Sequence, residues 1–132
     1  MTHFIALFTF CLFWGVPAPV MQPIHAWAGT PPVIEWLTAT DHNFGQIRQG
    51  YPVKYVFKFK NITQTPILLE TVRTTCGCTA AKWPEEAILP GETGEILIEY
   101  DTYKSGDFRK KIRVFFDQQH KPEILWIEGS VD

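Results

Sequence analysis

The sequence predicts an all-β domain, a sandwich of about seven short strands preceded by an N-terminal signal peptide. Three observations carry this expectation. Apolar and polar residues alternate with a period of two along several segments, most cleanly from Val53 to Phe59. Ten prolines and nine glycines punctuate 132 residues, which favours many turns over long helices. No segment sustains the apolar period of an amphipathic helix. The length suits one domain, and an aromatic content of 14% can furnish its core. Twelve Lys and Arg against fourteen Asp and Glu lack the basic excess of a nucleic-acid binder, so no nucleic-acid partner is expected.

Phe4 to Val16 is an uncharged apolar run, too short to span a bilayer comfortably. Pro17-Ala18-Pro19 interrupts it, and Ala26-Trp27-Ala28 supplies the small-x-small pattern that signal peptidase cuts. Residues 1–28 are therefore expected to be a signal peptide, with 29–132 as the mature domain. The n-region, Met1-Thr2-His3, has no Lys or Arg, and a buried N-terminal helix or a permanent anchor is the alternative. Cleavage removes Cys11, both methionines, His3 and His25. It leaves Cys76, Cys78, His42 and His120, a net charge of −2 and no stable membrane span.

The elements follow in order. Val33 to Leu37 reads as a short strand with Ile34 and Trp36 on one face. Asp41-His42-Asn43-Phe44-Gly45 reads as turn chemistry closing on Phe44. From Val53, Tyr55, Phe57 and Phe59 share one face and Lys54, Val56, Lys58 and Lys60 the other. That lysine row is read as a solvated sheet face in preference to an anion-binding patch. Asn61-Ile62-Thr63 forms a turn and matches an N-glycosylation acceptor, relevant only in a eukaryotic secretory pathway. Ile67 to Thr75 is the next strand, with Val72 out of phase unless a bulge near Glu70-Thr71 restores it.

Lys82 to Glu86 reads as loop and Pro90 to Gly94 as a turn. Glu95 to Tyr100 is a strand with Ile96, Ile98 and Tyr100 inward. Phe108 to Phe116 follows with Phe108, Ile112, Val114 and Phe116 inward, and Lys110 breaks the alternation. Asp117 to Glu123 is a polar connection, and Ile124 to Val131 closes the set with Leu125, Ile127 and Val131 on one face. Such a series of strands is the expectation for an immunoglobulin-like β-sandwich. The inter-sheet disulfide of antibody domains is excluded, because Cys76 and Cys78 are two residues apart.

The blocks His42-Asn43-Phe44-Gly45-Gln46-Ile47, Phe57-Lys58-Phe59-Lys60-Asn61, Cys76-Gly77-Cys78-Thr79, Trp83-Pro84, Ile88-Leu89-Pro90-Gly91-Glu92 and Ile127-Glu128-Gly129-Ser130-Val131 occur in this order. Together they resemble the exported bacterial proteins grouped as domain of unknown function 1573, across nearly all of the expected mature chain. The resemblance implies an immunoglobulin-like sandwich of the Hydin and major sperm protein type, in envelope or secreted proteins, and it assigns no activity. Its structural motif residues here are Phe44, Gly45, Gly77, Trp83, Pro90, Gly91 and Gly129. The stretch Phe115 to Gln119 departs from it by lacking a serine-asparagine turn.

Cys76 and Cys78 are the candidate site. In an oxidising compartment such a pair is read first against disulfide formation. Residues i and i+2 lie about 5.5–7 Å apart at Cα, which overlaps the range a disulfide tolerates. A ring that small is expected to be strained and so more oxidising, which suggests thiol–disulfide exchange. Against that, neither a Cys-x-x-Cys motif nor a thioredoxin-like βαβ pattern is present. Two thiolates also suit Cu(I), or half of a zinc site completed by His42 and His120. The plain alternative is that the pair closes a strand end as a local staple.

The sequence contains no Gly-x-Ser-x-Gly, no His-Glu-x-x-His and no phosphate loop. No enzyme activity, no catalytic residue, no metal and no cofactor is expected. The functional expectation is a non-enzymatic interaction or structural module of the periplasm, outer envelope or extracellular space. Its partner would be an envelope protein, engaged by edge-strand pairing. Redox or metal binding through Cys76 and Cys78 is the alternative.

Overall fold

A computed structural model describes residues 29–132, all of it strands and connecting turns. The proposed signal peptide lies outside the described residues. The described residues form eight strands: β1 (Ile34–Trp36), β2 (Asp41–Ile47), β3 (Val53–Asn61), β4 (Leu69–Thr74), β5 (Thr79–Lys82), β6 (Thr93–Tyr100), β7 (Gly106–Phe116) and β8 (Glu123–Val131). They form two four-stranded sheets, one in the order β1-β3-β6-β5 and the other β2-β8-β7-β4. Every pairing is antiparallel except β2 with β8, which is parallel. The immunoglobulin-like sandwich expected from the alternation is the architecture observed.

The inward rows are those the period of two assigned. Phe57, Phe59, Ile96, Ile98, Ile112, Val114, Leu125 and Ile127 are each fully buried between the sheets. Every such side chain removed from water contributes about 1.5–3 kcal/mol. Aromatic edges knit the layers: Phe59 meets Phe116 of the opposite sheet at 5.2 Å, and Tyr100 stacks on Phe108 at 3.8 Å. Trp36 Nε1 donates to Glu123 Oε2 at 3.2 Å, tying β1 of one sheet to β8 of the other.

On the outer face of the first sheet, Lys54 and Lys58 stand opposite Glu99 and Glu95 and pair with them at 3.1 and 3.2 Å. Lys54 and Lys58 thus lie on a charge-compensated, solvated face. The bulge near Glu70 is also present, as a register shift between Leu69 and Thr71 that lets Val72 face inward.

One expectation is corrected, and one strand is added where the alternation assigned none. Asp41 to Gly45 is not a turn but most of an edge strand. Its turn-forming residues make an irregularity inside β2: Gly45 adopts φ +70°, Asn43 Oδ1 accepts the Gly45 N–H at 2.7 Å, and the register with β8 shifts between Asn43 and Gln46. Thr79 to Lys82, whose alanines are weak strand formers, becomes β5 because β6 offers an open edge to pair with. These two segments account for the strands beyond those read as such.

Asn61 is fully buried. Its Nδ2 donates to the Thr65 and Ile88 carbonyls at 2.9 and 2.8 Å, and its Oδ1 accepts from the Thr63 N–H and hydroxyl. An amide nitrogen so enclosed offers no glycan attachment point, so the acceptor match is structural.

Candidate functional site: the Cys-Gly-Cys loop

The loop between β4 and β5 carries the chain from one sheet to the other, and the Cys-Gly-Cys sequence sits at that crossing. Cys76 and Cys78 are joined by a disulfide with their Cα atoms 5.3 Å apart, just below the span expected for this spacing. Both residues are half-buried, whereas Gly77 between them is exposed with open space around its α-carbon.

Threonines frame the pair. The Thr74 hydroxyl lies 3.1 Å from the Cys76 carbonyl and 3.2 Å from the Thr79 carbonyl, and it fastens the start of the loop to its end. Thr79 is buried on β5. Its hydroxyl lies 3.7 Å from Cys76 Sγ and 4.0 Å from Cys78 Sγ, within sulfur hydrogen-bond reach of both. In the sequence Thr79 stands beside the cysteines in the Cys76-Gly77-Cys78-Thr79 block, and nothing local marks it or Thr74 as a partner of the loop. A hydroxyl's direction depends on tertiary placement.

Beside the disulfide opens a cleft of about 420 Å³, lined by Cys76, Gly77, Cys78, Tyr100, Asp101, Tyr103, Lys104 and Lys110. Lys110 explains the broken alternation on β7. It occupies an inward register position, yet β4 has ended its pairing at Thr74 opposite Ile112, so the ammonium finds an opening instead of a core. Burial, aided by the neighbouring Asp101 carboxylate, pushes the Tyr100 phenol above its usual range and keeps it neutral.

The other motif residues divide into separate groups. Phe44 packs on the core, and Gly45 and Gly129 come together near Phe108. Pro90-Gly91 makes a turn at the opposite end of the sandwich, where Gly91 adopts φ +79° and donates its N–H to the Asn61 carbonyl. Trp83 packs against the core after β5. These positions serve the fold and do not converge on the cysteines.

Nor do the histidines. His42 is stacked on Tyr55 at 3.6 Å and meets Phe44 edge-on at 4.6 Å, a setting whose burial lowers its pKa. His120 lies in the β7–β8 turn beside Gln119, at the far end from the loop. Among the described residues no group of three or more His, Cys, Asp and Glu is placed to hold a metal. A zinc site built from both cysteines and both histidines is therefore not assembled.

Residues 35–131 match the model of a family described as Protein of unknown function (DUF1573). Among solved structures, a protein of unknown function from Porphyromonas gingivalis W83 is similar with a TM-score of 0.64 and 19% identity, over 74% of this chain and 46% of that one. This chain therefore spans less than half the length of that relative. The ASH / PapD-like domain of human CEP192 (PapD-like domain 7) is similar with a TM-score of 0.67 and 10% identity, over 89% of this chain and 96% of that one. The VesB protease of Vibrio cholerae is similar with a TM-score of 0.59 and 10% identity, over 76% of this chain and 32% of that one. At such identities the likeness shows the fold alone. Comparison with curated proteins finds no match.

Proposed function

The chain belongs to the DUF1573 family, whose description carries no activity, and from that premise we propose that it is a non-enzymatic interaction module exported to the bacterial cell envelope. One observation carries the reading. β2 is a seven-residue, proline-free edge strand, with β8 on one side and no strand on the other among the described residues. An open edge of this kind offers backbone N–H and C=O groups to a strand from a partner protein. The apolar run from Phe4 to Val16 and the Ala26-Trp27-Ala28 pattern support export.

The test is a photo-crosslinking amino acid placed at Asn43 on β2, and in a second variant at Lys58 on the outer face of the first sheet. A discrete covalent adduct with an envelope protein is expected from Asn43 and not from Lys58. Equal labelling from both positions, or none from β2, would overturn strand addition. The mass of the same protein reports export: loss of residues 1–28 is expected, and a full-length chain in the membrane would mean an anchor.

A second reading, thiol–disulfide exchange at Cys76–Cys78, is favoured by one observation. The half-buried pair lines an open cleft together with two ammonium groups. The comparisons add nothing to it. Protein recovered from the periplasm should then show no free thiol until reductant is added, and should exchange with glutathione; thiols that stay reduced in air would remove the reading.

A further inference from the structure

Resting on the thiol–disulfide reading, we propose that Thr79 and Lys110 stabilise the thiolate released when the Cys76–Cys78 bond opens, and that the cleft admits a small thiol carrying carboxylates. Three features of the site lead there. The Thr79 hydroxyl reaches both sulfurs, at 3.7 and 4.0 Å, from a buried position on a paired strand. A disulfide sulfur is a poor hydrogen-bond acceptor and a thiolate a strong one, so this contact strengthens as the bond breaks.

Lys110 lines the same cleft from an inward-facing position on β7, and no carboxylate pairs with it among the described residues. A neighbouring cation lowers a thiol's pKa and favours the reactive form. Lys104 adds a second positive charge at the rim, against the single carboxylate of Asp101. The balance favours an incoming thiol that is itself anionic. The Thr74 hydroxyl, on the Cys76 and Thr79 carbonyls, holds the loop's ends by contacts that do not involve the sulfurs. The two cysteines thus stay within reach of each other after reduction.

The exchange balances without a further reactant. A substrate thiolate attacks one cysteine sulfur, forming a mixed disulfide and expelling the other sulfur as thiolate. A second substrate thiolate then attacks the substrate sulfur of that mixed disulfide. Two substrate thiols become one substrate disulfide, two electrons enter the protein, and the two protons end on Cys76 and Cys78.

The experiment uses purified protein, reduced and freed of reductant, with thiolate absorbance followed against pH and exchange followed with glutathione disulfide. The lower thiol pKa of the wild type should fall below the ordinary value of about 8.5. Thr79→Val, which keeps the branched shape and removes the hydroxyl, should raise it, as should Lys110→Met. Either variant should slow exchange near neutral pH by roughly three- to tenfold, following the loss of thiolate. Thr75→Val, an exposed neighbour, should change neither quantity. A preference of the oxidised wild type for reduced glutathione over uncharged 2-mercaptoethanol should shrink in Lys110→Met.

Melting curves check that both variants are folded, and because Thr79 and Lys110 lie on different strands each reports separately. Exchange that proceeds with unchanged thiol pKa values in both variants would overturn the assignment while leaving the exchange reading intact. An unlowered wild-type pKa would do the same. Failure of wild-type protein to exchange with either thiol would remove both.

Discussion

Gly129 stands directly opposite Phe108 on neighbouring strands, and the Phe108 ring covers its α-carbon so closely that a methyl group there would lie 3.0 Å from two ring carbons. The carbonyl oxygen of Gly45 would lie 3.1 Å away on another side. Tyr100 stacks on Phe108, so the ring has little freedom to retreat. Gly129→Ala should therefore cost about 1–3 kcal/mol, the usual range for overpacking a filled core. Gly94→Ala should cost more, because its methyl would run into the fully buried ring of Phe59. Urea unfolding of the two variants beside wild type checks the size and the order; a Gly129→Ala midpoint equal to wild type would show that Phe108 yields.

Asn61 predicts a second large loss. Asn61→Ala removes the donor from two carbonyls and the acceptor from the Thr63 N–H in a fully buried place. The Ile88 and Thr65 carbonyls keep the Ile67 N–H and the Thr63 hydroxyl as donors, so the Thr63 N–H is the group left unpaired, at a cost of about 1–3 kcal/mol. A chemical-denaturation midpoint within error of wild type would mean that water enters the turn. Expression in a glycosylating host should yield no glycan at this residue, which intact mass decides.

His42 gives stability a dependence on pH. Burial lowers its folded pKa from 6.5, so the unfolded chain takes up the proton first as pH falls. Its contribution is fully present above that value and is lost as pH drops through the folded pKa. The melting temperature of wild type should fall more between about pH 7.5 and about pH 5 than that of His42→Phe, which keeps a ring on Tyr55 and does not titrate. Parallel pH profiles for the two proteins would assign the effect elsewhere.

The cysteine pair should matter little for stability. The loop it closes is tiny, so the chain-entropy gain is at most about 2 kcal/mol. Both cysteines are only half-buried. Cys76→Ser with Cys78→Ser should therefore unfold close to wild type, and adding reductant to wild type should shift its urea midpoint by a similar small amount. A much larger loss would mean that the loop organises the crossing between the sheets.

Much of the fold was legible in the chain because its cause is local. Alternation at a period of two in β3, β6, β7 and β8 states which side chains face inward, and the core contains Phe57, Phe59, Ile96, Ile98, Ile112, Val114, Leu125 and Ile127 as that alternation requires. Even the bulge at Glu70 could be placed, since only an extra residue brings Val72 into phase. Other features needed partners distant in sequence. Asp41 to Gly45 carries turn chemistry and becomes an edge strand because β8 stands ready to pair with it, and Thr79 to Lys82 becomes a strand because β6 does. The sequence by itself determined the strand-rich core and the closeness of two cysteines. Only the tertiary structure decided that a buried threonine faces both sulfurs and that Lys110 opens into their cleft. Those placements depend on where β4 stops pairing with β7 and how the chain crosses between sheets, and no local pattern records either.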